Sequence, residues 1–224
     1  MNLRLRLLAG SVGLLLPASA PAALVAGYSF GTFANPTLEA TTEDPNINAG
    51  LVSYGPGLTG TGFALGKSDF GAGATGWTDS PNFASASTDY FQVTLAPDAG
   101  HSLNLDSVGF HIRLSSFDGP RSWALTSSQD NHATPLGRLF AWQTGRQGDY
   151  SFPLGAAFDD VTSPVTFRLH GFEARFSNQS GTLDDLFFDG GLTAVPEPHE
   201  YAAFAGLGLL GFAVWRRTSA RRAR

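Results

Sequence analysis

The chain has 224 residues, a formal net charge of −5 and no cysteine. Without cysteine it forms no disulfide, no zinc-thiolate site and no cysteine nucleophile. Seven of its fourteen basic residues lie in the two terminal segments, so residues 23–194 combine seven basic with seventeen acidic residues, a net charge of −10. Because so acidic a domain repels nucleic acid, we exclude that class of partner.

Residues 1–22 have the order of parts that is typical of a secretory signal peptide. A short basic region from Met1 to Arg6 precedes an apolar stretch from Leu7 to Leu16 and then a series of small residues. Cleavage after Ala22 satisfies the preference for small residues at the cut, and the mature chain then begins at Ala23. The apolar stretch is too short for a permanent first membrane helix. The sequence therefore predicts export through the inner membrane and removal of residues 1–22 by signal peptidase.

Residues 23–194 predict a single all-β domain. No segment of this region shows a helical period over three turns, and glycine, proline and asparagine divide it into short apolar runs. The predicted strands are Val25–Phe33, Thr37–Thr42, Leu51–Tyr54, Gly62–Leu65, Tyr90–Leu95, Val108–Ser115, Arg121–Ser128, Pro135–Thr144, Asp149–Pro153, Val165–Gly171 and Thr182–Phe188. The glycine-rich stretch 67–87 is predicted to be a long loop. Strands and turns at this spacing favour an antiparallel β-sandwich of the jelly-roll type.

Two stretches of this domain resemble exported β-sandwich domains. Residues 116–130 contain a strand, a Gly-Pro turn, a strand with an aromatic residue and a Ser-Ser-x-Asp turn, and residues 180–190 resemble the closing strand of carbohydrate-binding jelly rolls. The second resemblance implies one structural calcium ion with Asp184 or Asp185 as a ligand. The alternative for such adjacent acid pairs is that they are solvated turn residues, and a glycosidase that uses paired carboxylates is a further alternative.

Two strands each place a histidine and an arginine two residues apart on the face predicted to point outward. They are His111 with Arg113 and Arg168 with His170. If the strands are neighbours, these four side chains form one cationic or protonatable patch that suits an acidic polysaccharide. The alternative is an ordinary solvated face that balances nearby acidic residues.

The C-terminal thirty residues have three parts. Residues 195–200 form a spacer that begins Val195, Pro196, Glu197, Pro198; residues 201–215 form an uncharged apolar run; and residues 216–224 contain five arginines. The two prolines disfavour helix and sheet, so the spacer is expected to be extended and accessible to a processing enzyme.

The apolar run predicts a short transmembrane helix. Its fifteen residues span roughly 22 Å at 1.5 Å per residue, which is less than a hydrocarbon core of about 30 Å. Tyr201 and Trp215 stand at its two ends, where amphipathic rings favour the membrane interface, and Arg216 and Arg217 begin the basic tail that is expected to stay in the cytoplasm. A buried helix of the globular domain is the alternative.

This order of parts resembles the PEP-CTERM sorting signal of exported bacterial proteins, which the membrane protease exosortase processes. The resemblance covers residues 195–224 only. It implies transient membrane anchoring, cleavage near Pro196 to Pro198, and a final location on the cell surface or in the extracellular matrix. It implies no activity for residues 23–194.

Three functions remain open for the exported domain. The preferred one is a non-enzymatic surface or matrix protein that contacts exopolysaccharide. A carboxylate-dependent glycan hydrolase is disfavoured because no catalytic motif is present, and a purely structural envelope module is the third. No cofactor is expected beyond the calcium ion.

Overall fold

A computed structural model describes residues 23–32, 34–65, 70–114, 116, 118–140, 147–195, 206, 208–212 and 215–216. The predicted signal peptide, residues Pro196 to Tyr201 of the sorting signal and the basic tail from Arg217 lie outside the described residues. Residues 206, 208–212 and 215–216 are helical, and Trp215 is 62% exposed. Among the described residues, no helix combines the length and the apolar character needed to cross a membrane.

The described domain is an all-β antiparallel sandwich of two large sheets. The strands are β1 Ala23–Tyr28, β2 Gly31–Thr32, β3 Asn35–Pro36, β4 Thr42–Glu43, β5 Ile47–Ala49, β6 Ser53–Tyr54, β7 Thr59–Leu65, β8 Phe70–Thr75, β9 Tyr90–Pro97, β10 His101–Leu114, β11 Ser122–Ser127, β12 Gly137–Phe140, β13 Gln147–Pro153, β14 Val165–Phe172 and β15 Gly181–Ala194. Seven of them form a sheet in the order β13-β10-β15-β1-β4, with β8 paired to β15 and β7 to β8. Six form the order β12-β11-β14-β9-β5, with β6 paired to β9.

Alternation along the strands builds the core between the two sheets. Val108, Phe110 and Ile112 of β10 point inward and are at most 1% exposed, as the sequence predicts. Trp77 packs its ring against Phe91 at a centroid distance of 5.5 Å and against Trp123 at 5.1 Å, and these rings belong to the same apolar cluster as the aliphatic residues. Aromatic burial of this kind stabilises a domain that has no disulfide.

The central strands match the sequence prediction, and two of them are longer than expected. β10 begins at His101 rather than Val108, and β15 continues to Ala194 rather than Phe188. Both strands contain bulges, at which the register between them shifts. Such shifts interrupt the simple alternation from which the shorter strands are predicted.

Two predictions in the N-terminal half are wrong. The stretch 67–87 contains β8, whose Ala72 and Ala74 are completely buried. Its small residues suit close contact, because a Cβ on Gly71 would lie 2.6 Å from the carbonyl oxygen of Leu183. Glycine and alanine give no alternation of large apolar and polar side chains, so alternation does not predict this strand. The stretch 37–42 contains a strand residue only at Thr42, where the two-residue β4 begins.

Candidate functional site

The outer surface of the six-stranded sheet carries the clearest concentration of binding chemistry. We call it the arginine face and define it by Tyr90, Gln92, Arg138, Phe140 and Arg168. The register brings these residues together: Arg168 is paired with Gln92 and His170 with Tyr90 between β14 and β9, and Arg138 is paired with Ala124 on the intervening strand β11. With strands about 4.8 Å apart and a two-residue offset, the Cα atoms of the two arginines are about 12 Å apart.

Arg168 is held in one orientation by two neighbours. Its Nε donates a hydrogen bond of 2.8 Å to Oε1 of Gln92, and its guanidinium carbon lies 4.4 Å from the centroid of the Tyr90 ring. The cation–π contact and the hydrogen bond together hold the guanidinium in one orientation. The two terminal nitrogens of the guanidinium form no hydrogen bond within the described part of the chain. They are therefore available to a ligand carboxylate, which a planar guanidinium binds through two parallel hydrogen bonds.

Arg138 repeats the combination of a cation with an aromatic ring on the edge strand β12. Its guanidinium carbon lies 5.2 Å from the centroid of the Phe83 ring, and the residue is exposed. Phe140, two residues further along the same side of the strand, is 51% exposed. Among the described residues, no carboxylate forms an ion pair with Arg138 or Arg168.

The strands of this sheet contain no acidic residue, and Arg138 and Arg168 are their only formal charges. This is unusual in a domain whose net charge is −10. Arg168 is partly buried and forms no ion pair with a described carboxylate, so its charge is poorly screened and an anionic ligand gains more here than on the acidic remainder of the surface.

His170 lies beside the arginine face but is covered. It is 3% exposed, and the ring of Phe83 packs edge-on against its imidazole at 5.1 Å. Its Nδ1 lies 2.8 Å from the carbonyl oxygen of Ala86, so Nδ1 carries the proton and donates. Nε2 then accepts from the hydroxyl of Thr126 at 3.2 Å, and that oxygen accepts from Nδ1 of His132 at 3.0 Å.

Burial lowers the pKa of His170 to about 4, and the positive charges of His132 and Arg168 contribute in the same direction. Burial and the charge of Arg168 also lower the pKa of His132. Protonation of Nε2 of His170 would place two donors against each other at the Thr126 hydroxyl. His170 is therefore a neutral support beneath the arginines at neutral pH and contributes no positive charge to the face.

The predicted four-residue patch of His111, Arg113, Arg168 and His170 is wrong. β10 belongs to the seven-stranded sheet and β14 to the six-stranded sheet, so the two pairs lie on opposite sides of the sandwich. The prediction that both histidines are exposed is also wrong, because each is 3% exposed. Only Arg168 remains in the candidate site.

His111 has a different environment on the outer surface of the seven-stranded sheet. Its Nδ1 lies 2.9 Å from Oδ1 of Asp149, whose side chain is 66% exposed, and its register partner on β15 is Asp184. Nε2 of His111 is buried and has no hydrogen-bond partner. This His–Asp pair was not predicted, because Asp149 is adjacent only through strand pairing.

The two aspartates implied as calcium ligands lie at a bulge in β15. Asp184 is 1% exposed, and its Oδ1 accepts a 3.0 Å hydrogen bond from the backbone N–H of Asp185, whose φ is 46°. The alternative that both are solvated turn residues is therefore wrong for Asp184. In the described regions, no group of three or more His, Asp or Glu side chains is arranged to hold a metal ion, so a calcium ion at Asp184 or Asp185 would need backbone carbonyls and water as further ligands.

Sequence reasoning missed most of the arginine face. Arg138 lies in a predicted strand but has no regular partner spacing, and Tyr90 and Gln92 are ordinary strand residues. The sequence contains no distinguishing signal for this face, because eight of the eleven predicted strands lack an acidic residue and the order of strands in a sheet is not visible in one sequence.

No protein-family model matches the chain, and no curated protein is similar to it in sequence. Several solved structures resemble it. The carbohydrate-binding module TmCBM27, studied for specific mannan recognition, is 8% identical, with a TM-score of 0.41 over 77% of this chain and 99% of that one. The K3 adhesin domain of Lys-gingipain from Porphyromonas gingivalis is 16% identical, with a TM-score of 0.41 over 76% and 100%. A non-crystalline-cellulose-specific module, CBM28, is 9% identical, with a TM-score of 0.41 over 78% and 100%. At these values, none of the similarities identifies a family or a ligand for this chain.

Proposed function

We propose that the chain is an exported surface or matrix protein whose jelly-roll-type sandwich binds an acidic exopolysaccharide through the arginine face. Signal peptidase removes residues 1–22, the C-terminal helix anchors the chain transiently, and exosortase cleaves near Pro196 to Pro198. The order of spacer, apolar run and arginine tail supports this sorting route.

The observation that carries the binding proposal is the Arg168 guanidinium. Gln92 and Tyr90 fix its plane, and no protein carboxylate satisfies its terminal nitrogens in the described structure. A guanidinium that is oriented before binding loses little conformational entropy when a carboxylate arrives. Arg138, about 12 Å away, offers a second contact to the same polymer.

The role proposed for the domain is binding rather than catalysis. The His111–Asp149 pair is the described arrangement closest to a general base with an orienting carboxylate, and it is the observation that favours a hydrolase. However, Nε2 of His111 is buried, so it does not reach a substrate proton in this conformation. We therefore keep the hydrolase as the second candidate function.

The binding proposal is tested with polygalacturonate as the acidic probe. Full-length protein is compared with a double variant, Arg138→Ala and Arg168→Ala, by calorimetry at low ionic strength. Hydrogen bonds to charged groups contribute about 1.5 to 3 kcal/mol each, so we expect at least tenfold weaker binding for each arginine removed.

The matched control is Arg113→Ala, which removes the same charge from the outer surface of the other sheet. It should leave the affinity within about twofold. If Arg113→Ala weakens binding as much as the double variant, general electrostatics rather than the arginine face determines affinity.

The sorting route has a separate test. Mass spectrometry of the protein from envelope and medium should find chains that end near residues 196–198. An intact arginine tail on all of the protein would contradict the proposed cleavage.

A further inference from the structure

Both ends of the described domain lie at the same end of the sandwich. Ala23 is paired with Gly190, and Ala194 with His101, where β9 ends and β10 begins. The loops that include residues 76–82, 118–121 and 173–180 lie at the opposite end, about 40 Å along β15. We call this the distal end. In a chain held at its termini, the distal end is the part furthest from the attachment.

A groove opens on the distal end. It has a volume of about 510 Å³ and is lined by residues that include Trp77, Asp79, Arg175, Phe176 and Asn178. Backbone hydrogen bonds join its walls: the N–H of Gly76 donates to the carbonyl of Ser177 at 2.7 Å, and that of Ala174 donates to Thr78 at 2.9 Å. The groove is therefore formed before any ligand arrives.

The exposed aromatic residue in this groove is unusually well positioned for binding. Phe176 is 51% exposed, and its backbone N–H donates to the carbonyl of Asp118 at 3.0 Å. The guanidinium carbon of Arg175 lies 5.5 Å from the centroid of its ring. The ring is thus supported from its own loop while half of its surface faces solvent, where an apolar ligand face can cover it.

The polar groups around Phe176 suit hydroxyl groups rather than a ligand carboxylate. Nη1 of Arg175 already lies 3.5 Å from Oδ1 of Asp118, and Asp79 adds a second carboxylate to the rim. A ligand anion would meet these two acids, in contrast to the acid-free strands of the arginine face. Carboxylate and amide oxygens accept hydrogen bonds from hydroxyls, and the Asn178 amide also donates.

We propose that the distal groove is a second binding site, separate from the arginine face, that takes a neutral pyranose of a glycan chain. The C–H face of the sugar lies on Phe176, and the sugar hydroxyls bond to Asp79 and Asn178. The site does not depend on Arg138 or Arg168. An exported chain with both sites links an acidic polymer along its side to a neutral glycan at its distal end.

The experiment titrates full-length protein with neutral hexasaccharides of glucose, mannose and galactose in a calorimeter. We expect at least one of them to bind, with the same affinity in the Arg138→Ala, Arg168→Ala double variant. Phe176→Ala should weaken binding about tenfold, which corresponds to the upper range for an aromatic contact. Asp79→Asn, which keeps the shape of the side chain, should weaken it several-fold. Leu51→Ala, which removes another exposed apolar side chain, should have no effect.

The outcomes separate the two sites. Retention of polygalacturonate binding together with loss of hexasaccharide binding in Phe176→Ala supports the distal site. The distal site is overturned if no neutral hexasaccharide binds, or if the wild type, Phe176→Ala and Asp79→Asn bind equally. Neither result bears on the proposed binding at the arginine face. Loss of hexasaccharide binding in the double arginine variant also overturns the distal site, because the sugar would then occupy the arginine face.

Discussion

The outer surfaces of the two sheets contain the same His–Arg spacing, but different residues surround it. His111 with Arg113 on β10 and Arg168 with His170 on β14 have the same spacing, and both histidines are 3% exposed. Their neighbouring strands differ. The pattern on a single strand therefore fixes which side chains share a face but does not fix what they do there.

Neighbouring strands supply the difference. On the seven-stranded sheet, β13 and β15 place Asp149 and Asp184 in register with His111. On the six-stranded sheet, β11 and β9 place Ala124 and Tyr90 in register with His170. The first surface places carboxylates in register with its histidine, whereas in the described residues the second leaves two arginines without a carboxylate partner. The following predictions test this contrast.

The largest expected effect concerns the neutral His170. Its pKa is about 4 in the folded chain against 6.5 for an unperturbed histidine. Because the folded pKa is depressed, the contribution to stability is complete above about pH 6.5 and is lost as the pH falls towards 4. The shift corresponds to about 3 kcal/mol of the free energy of unfolding.

Denaturant unfolding at pH 7 and pH 4 measures this effect in the wild type and in His170→Gln, which does not titrate. We expect the stability difference between the two pH values to be smaller in the variant by about 3 kcal/mol. An equal difference in both proteins would mean that His170 is charged or solvated in the folded state. It would also mean that His170 adds positive charge to the arginine face at low pH.

The second prediction concerns the orientation of Arg168. Arg168→Lys keeps the charge but loses the hydrogen bond from Nε to Gln92 and the contact of the guanidinium with the Tyr90 ring. We expect roughly tenfold weaker binding of polygalacturonate, measured by calorimetry, and a loss of about 1 kcal/mol in the free energy of unfolding, because both lost contacts are already present without ligand. Full retention of affinity would show that the face acts through charge alone.

The smallest effect is expected on the opposite surface. Asp149→Asn removes the charged partner of His111, and because Asp149 is largely exposed we expect a loss of about 0.5 to 1 kcal/mol in the free energy of unfolding. Polygalacturonate affinity should stay the same or rise slightly through the lost negative charge. A large loss of affinity would move the binding site to the seven-stranded sheet.

The sequence predicts the parts of the fold that alternation controls. Val108 to Leu114 of β10 and Val165 to Leu169 of β14 show apolar residues every second position, and both lie in strands with that face in the core. β8 escapes prediction because Gly71 and Ala72 carry almost no side chain. The pairing of strands, which connects residues such as Arg168 and Gln92 across 76 positions, leaves no mark in a single sequence.

The same limit applies to the site. The sequence predicts that Arg168 faces outward in a glycan-binding patch; the structure places it on the outer surface of the six-stranded sheet, but its predicted partners on β10 lie on the other sheet. Burial of His170 depends on segment 83–86, whose Phe83 covers its imidazole. Long-range packing decides these outcomes, so a residue-by-residue pattern cannot foresee them.

The central claim is that the arginine face recognises ligand carboxylates. The most direct test compares polygalacturonate with the same polymer after full methyl esterification, in binding to full-length protein at low and high ionic strength. We expect the free acid to bind, more weakly as salt rises, and the ester to lose binding at the arginine face. Equal affinity for the two forms, or a preference for the ester that persists in the Arg138→Ala, Arg168→Ala variant, would contradict the account.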